Sequence, residues 1–178
     1  MLINSLKKIF FKEKLKKNYA KNIVENIIEI SQSDIFYKKY KIEKDFILRF
    51  EIITILVFLI FFRLKNNKKF RPRLQEIYDY LFDYIDFSLR EVGTGDLGVG
   101  KKVKILAKTF SFRIQTYNKS FQINFDNIEK PIKKNLFKKN TNPFIVNKFV
   151  KYVLDENRRI HSIITKNIFV KKLFKLHK

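Results

Sequence analysis

Leu74, Ile77, Tyr78, Leu81, Phe82, Ile85, Leu89 and Val92 fall three or four residues apart and trace one apolar face, the pattern of an amphipathic helix. Glu76, Asp79, Asp83 and Asp86 mark an acidic stripe on another face of the same segment. The period returns in Val103, Leu106, Ala107, Phe110, Ile114 and Tyr117. It returns again in Phe144, Val146, Phe149, Val150, Val153 and Leu154, behind Asn142-Pro143 as cap and first helical residue. Between Phe121 and Asn142 the pattern is less regular. Upstream, Asn22–Ile30 continues as helix, and Ser31-Gln32-Ser33-Asp34 supplies a stop followed by the cap of a short helix over Ile35–Tyr40.

Phe46–Leu64 is the most hydrophobic segment. Its charge-free part, Ile52–Phe62, gives only about 17 Å of helix, well short of the ~30 Å core of a bilayer. It therefore predicts a central buried helix. Lys65–Arg73 is a basic connection, with Pro72 suited to a helix start. Met1–Lys17 predicts a basic amphipathic helix that suits an anionic bilayer and equally suits docking as an ordinary first helix. Lys7, Lys8, Lys12, Lys14, Lys16 and Lys17 are its candidate contacts to an anionic surface. Ile163–Leu176 predicts a last basic helix extending off the body. The expected architecture is all-α, one domain of about six to eight helices with a glycine-rich helix–loop–helix corner and basic terminal helices. Its expected parts are an N-terminal helix over 1–18, a helical body over 19–160 and a C-terminal extension over 161–178.

Composition changes this picture in one respect. The chain of 178 residues holds 39 basic against 17 acidic residues, a formal charge of +22, so an anionic partner is expected, nucleic acid or membrane. Coding bias toward lysine accounts for part of that figure; the distribution says more. Residues 1–21 carry seven lysines against one glutamate, whereas 74–92 carry five acids against Arg90. The absence of cysteine removes disulfides, thiolate metal sites and cysteine nucleophiles.

All four glycines fall within eight residues: Gly93, Gly95, Gly98 and Gly100. Gly93-Thr94-Gly95-Asp96-Leu97-Gly98 matches a dinucleotide fingerprint, and Gly95 to Lys101 matches most of a phosphate-binding loop. Both signatures need a strand leading into the loop, and a helix-period segment stands there instead. Lys102 stands where the phosphate-binding loop has a Ser or Thr, so the hydroxyl that would ligate magnesium is missing. A helix–loop–helix corner explains the cluster better, with Gly93 past the first helix and Asp96 as cap of the second. In that reading Gly98 and Gly100 let the backbone approach a neighbour. Arg90, Glu91, Asp96 and Lys101 then form an ionic surface around the corner.

The run Asp86-x-x-Leu89-Arg90-Glu91-x-Gly93-x-Gly95-Asp96-Leu97-Gly98-Val99-Gly100-Lys101-Lys102-Val103-Lys104 resembles the signature of the ubiquinol–cytochrome c chaperone family. The likeness continues through Leu106-Ala107, Phe110, Arg113 and Tyr117. Upstream it takes in Phe36-Tyr37, Asp45, Arg49-Phe50-Glu51 and Arg63-Leu64. It is strong from Phe36 to Phe121 and fainter from Lys134 to Leu154. The family often has a histidine in the apolar helix, and here Ile55-Leu56-Val57 has none; Leu48 replaces a family glycine.

The resemblance implies an all-α, non-catalytic chaperone for assembly of the cytochrome bc1 complex, respiratory complex III. Its implied partners are cytochrome b or other bc1 subunits, with a second assembly factor and the ribosome. Its implied place is the inner membrane, peripheral, on the cytoplasmic face in a bacterium or the matrix side in a mitochondrion. Asp86, Arg90, Glu91, Gly93, Gly95, Asp96, Gly98, Gly100 and Lys101 are the motif residues that would meet a partner. No catalytic residue, metal, cofactor or small-molecule substrate is expected. His161 and His177 are the only histidines, and neither joins the carboxylates of 76–86 at metal-ligand spacing. Two other readings remain from the residues alone: a basic RNA- or ribosome-binding module, and a P-loop-like nucleotide-binding protein.

Overall fold

Phe46–Leu64 forms a 19-residue helix, here α3, and the rest of the protein is arranged around it. The computed structural model describes residues 19–91, 95–163, 165–169 and 173–174. The N-terminal helix expected over Met1–Lys17, with its six candidate lysines, lies outside them, as does Gly93. Before α3 come α1 over residues 19–31 and the short α2, Asp34–Lys38. After it come α4 (Arg71–Glu91), α5 (Asp96–Ile123), α6 (Glu129–Leu136) and α7 (Pro143–Ser162). Short 3-10 turns occupy Lys68–Phe70, Phe125–Ile128 and Thr165–Phe169. The fold is all-α and a single domain, and among the described residues there is no strand.

α3 starts where Asp45 accepts hydrogen bonds from the amides of Ile47 and Leu48 at 2.7 and 3.1 Å. Twelve of its residues are buried, on every side of the helix. Such an all-round apolar helix must be central or membrane-embedded. Among the described residues no helix is long and apolar enough to cross a membrane. α5, α6 and α7 pack against it, and α4 packs on α5. Val57, Leu59 and Ile60 have no exposed surface to speak of, and each contributes about 1.5–3 kcal/mol by leaving water. Aromatic edges set the relative positions. Phe58 of α3 meets Phe121 of α5 edge-on at 5.1 Å, and Tyr40 beyond α2 meets Phe149 of α7 at 5.3 Å.

The region after Phe121 is more ordered than its pattern suggested. Asn124 caps the turn that leads into α6, and Ile128, Ile132 and Leu136, four residues apart, are buried. Asn142 caps α7 as expected, accepting from the Phe144 amide at 2.9 Å.

The C-terminal stretch does not extend off the body. Ile168, Phe169, Leu173 and Phe174 are buried, because this basic stretch carries an apolar side that the core can cover. Phe169 meets Tyr19 edge-on, and the Arg73 guanidinium lies 4.4 Å from the Phe169 ring centroid. Asn26 of α1 and Phe174 exchange two hydrogen bonds: the Phe174 amide donates to Asn26 Oδ1 at 2.8 Å, and Asn26 Nδ2 donates to the Phe174 carbonyl at 3.3 Å. Arg159 of α7 joins this strap by donating to the Leu173 carbonyl and to Glu156.

Candidate partner-binding corner

α4 runs to Glu91 and α5 begins at Asp96, so the glycine cluster is a corner between two long helices. Leu89 and Val99 are buried on either side of it and hold the two helix ends onto the core. The strand that either nucleotide signature would require is α4. Gly95, not Asp96, is the cap of α5: its carbonyl accepts from the amides of Gly98 at 2.8 Å and Val99 at 3.1 Å, and Asp96 is already the first helical residue. A glycine has no side chain to cap with, so this helix start lacks the side-chain bond that Asp45 gives α3.

The glycines themselves do not behave as expected. Gly95 has a φ of −57°, open to any residue. A Cβ added at Gly95 or at Gly100 would meet nothing within 4 Å. Gly100 therefore does not allow a close approach inside the fold, which corrects the expectation for that residue. Left-handed backbone, which suits glycine, occurs at Lys41, with a φ of 55°. There the chain leaves α2 through hydrogen bonds from the Tyr40 and Ile42 amides to the Ile35 and Phe36 carbonyls.

Around the corner Asp86, Arg90, Glu91 and Lys101 point outward. Asp86 and Arg90 pair one helical turn apart at 2.7 Å, both substantially exposed. Glu91, Gly95, Gly100 and Lys101 are exposed, while Gly98 is half-buried. A surface pair such as Asp86–Arg90 stabilises by about 0–1 kcal/mol, so its weight is in shaping the surface. The acidic stripe is engaged in ordinary polar contacts. Glu76 accepts from the Tyr19 hydroxyl, and Asp79 from Gln75 at 2.7 Å. Burial and the Glu76 carboxylate together push the Tyr19 hydroxyl well above the usual tyrosine range. Among the described residues no group of acids and histidines could hold a metal ion. His161 faces the Asn157 carbonyl at 2.9 Å on its own helix.

Among the other family-like residues Phe36, Phe50, Glu51, Leu64, Leu106, Phe110 and Tyr117 turn inward. Glu51 on α3 is buried, and its carboxylate accepts from Arg113 Nε at 3.0 Å and from the Tyr117 hydroxyl, both on α5. Asn135 of α6 donates to the same hydroxyl at 3.3 Å. Three helices are thereby stitched by one carboxylate. Burial, the Glu51 charge and the Glu51 hydrogen bond, in that order, push the Tyr117 hydroxyl well above its ordinary range.

A family model for the ubiquinol–cytochrome c chaperone matches residues 38–175. The chain belongs to that family. The match takes in α3, the inward seam, the glycine corner and, past Leu154, the C-terminal strap. The fold of this chaperone is similar to a crystal structure of the Cbp3 homolog from Brucella abortus, with a TM-score of 0.78 and 24% identity. That similarity covers 94% of this chain and 92% of the other. A search of curated proteins gives no match.

Two features escaped the sequence. Glu51 was visible as part of Arg49-Phe50-Glu51, but nothing local marks it as buried. Asn26 and Phe174 lie 148 residues apart, beyond any periodic signal.

Proposed function

We propose that this protein is a non-catalytic assembly chaperone of the cytochrome bc1 complex, binding newly made cytochrome b or its assembly partners from the cytoplasmic or matrix face of the inner membrane. The family supplies the class of function. One observation carries the placement of the site at the corner: Gly95 and Gly100 are exposed glycines that the fold itself does not need. A glycine in a helix costs about 0.5–1 kcal/mol against alanine, and at Gly100 nothing inside the molecule returns it. A partner backbone resting on the exposed helix supplies the missing reason. Asp86, Arg90, Glu91 and Lys101 then frame the contact with charges of both signs, which fix orientation more than affinity. Gly93 and Asp96 belong to the same proposed surface by their place in the motif. The 1–18 segment, with Lys7, Lys8, Lys12, Lys14, Lys16 and Lys17, adds salt-dependent attraction to an anionic membrane surface.

Deletion of the gene, read by reduced-minus-oxidised spectra of the b and c1 haems, tests the function; unchanged bc1 content overturns it. Complementation with Gly100→Leu, beside the wild-type gene, tests the site. A folded variant that restores full bc1 content removes the corner from the mechanism.

The lysine distribution favours one other reading, a ribosome- or RNA-binding module. Co-sedimentation with ribosomes at low and high salt separates it, since a lysine-driven contact weakens steeply with salt.

A further inference from the structure

α5 carries two apolar stripes, and only one of them is covered. Leu106, Phe110, Tyr117 and Phe121 face the core. Ile105, Phe112 and Ile123 are 53%, 62% and 79% exposed. Ile105 and Ile123 are eighteen residues apart, about five full helical turns, and Phe112 falls within a few tens of degrees of the line joining them. The three make a straight apolar ridge about 27 Å long on the outer face. Lys101, Lys104, Lys108 and Lys119, all exposed, run along one side of it. Between Leu97 and Ile123 the sequence has five lysines, one inward arginine and no acid. Beside the ridge an open trough of about 460 Å³ runs between Tyr78, Lys104, Lys108, Phe112 and Gln115.

We propose that the outer face of α5 docks flat on an anionic lipid bilayer, independently of the 1–18 segment and of the glycine corner. An apolar line with lysines beside it is the make-up of a helix lying in the headgroup plane, where apolar side chains enter the acyl boundary and ammonium groups meet phosphate. The lysines have reach: their stems lie along the apolar line while their heads stay in the wet layer. The three ridge residues lie along one line of the helix, so a flat surface can meet all of them. Nucleic acid would leave Ile105 and Ile123 unused, since neither stacks on a base nor bonds to one. The acidic outer face of α4 in a second copy would match the charge, but among the described residues Phe87 is its one exposed large hydrophobic, against three on the ridge.

The test is co-sedimentation of the full chain with vesicles of phosphatidylcholine alone and of phosphatidylcholine with 30% phosphatidylglycerol. Three full-length variants accompany the wild type. One replaces Ile105, Phe112 and Ile123 with serine. One replaces Lys104, Lys108 and Lys119 with glutamine. The third replaces the six lysines of 1–18 with glutamine. Circular dichroism melts accompany each, and the outward positions keep the fold unchanged. The wild type binds the anionic vesicles and not the neutral ones, and both α5 variants lose about tenfold or more in partition coefficient. The 1–18 variant retains binding that a further α5 substitution removes. Equal binding of the α5 variants and the wild type overturns the proposal. So does equal binding to neutral vesicles, or a dimer in light scattering that the α5 variants dissolve.

Discussion

The family-like residues divide between two regions with opposite characters. Glu51, Arg113 and Tyr117 form a buried seam where three helices meet around one carboxylate. Asp86, Arg90, Gly95, Gly100 and Lys101 form an exposed corner whose glycines meet nothing. The seam explains itself: remove a partner and a charge is stranded in the core. The corner does not, because its composition costs stability and returns none. On the proposed reading, a signature that mixes the two types of position records both what keeps the molecule folded and what it is folded for. Only measuring stability and function side by side separates them.

The largest effect is expected at the seam. Arg113→Met leaves the Glu51 carboxylate buried with only the Tyr117 hydroxyl, and removing one partner of a buried pair costs about 3–5 kcal/mol. Thermal unfolding then drops by roughly 10 °C or more in a domain of this size. A shift below a few degrees would mean that the seam is not the stitch between α3 and α5.

Tyr117→Phe follows at about 2 kcal/mol, since it leaves both a Glu51 oxygen and the Asn135 amide short of a partner. It also changes the alkaline limb of stability. Tyr117, Tyr19, Tyr152 and Tyr40 all have hydroxyls pushed upward, chiefly by burial. The folded state thus holds protons that the unfolded chain releases near pH 10. Stability is full below that pH and falls as pH rises above it. Urea unfolding between pH 8 and 12 should show this slope, shallower in Tyr117→Phe. An identical slope in both proteins would take Tyr117 out of the titration.

The smallest and sharpest effects are expected at the corner. Gly100→Ala stabilises by about 0.5–1 kcal/mol, because the helical backbone there has room for a Cβ. Lys41→Gly, where the backbone is left-handed, stabilises by about 1 kcal/mol. Both variants melt higher than the wild type. Placed in cells lacking the native gene, Lys41→Gly supports normal bc1 content and Gly100→Ala less. Equal bc1 content in the two would take away the functional case for the corner.

Much of the fold was legible, for reasons that differ by element. α3 is apolar on all sides and too short for a bilayer, which leaves the centre of the molecule. α4 and α7 show one apolar stripe each, and Asn142 caps where the sequence placed it, while Ser33 caps α2 one residue earlier than a helix from Ile35 requires. α6 was missed because Ile128, Ile132 and Leu136 repeat over barely two turns. α5 was legible as a helix and in its covered stripe, Val103 to Tyr117. Its second apolar stripe, Ile105, Phe112 and Ile123, was not legible as a surface left bare. The corner was legible as a corner, while the role of its glycines was not, because backbone angles and empty space leave no trace in residue types. The C-terminal stretch was misjudged on its lysines; its phenylalanines decide its path.

The paired hydrogen bonds between Asn26 and Phe174 carry a consequence for how the molecule comes into being. Chain synthesis delivers α1 before α2 to α7 and residue 174 after them, so the side-chain amide of Asn26 waits for its partner through the making of all six. Closing so long a loop costs little more than closing a short one, because the entropy grows only with the logarithm of its length. Timing, not energy, is the constraint. A chain released before Leu173 leaves a buried amide unmatched and the side of α1 bare. The finished protein thus differs from its fragments in stability as well as length, and proteolysis of nascent chains can tell them apart.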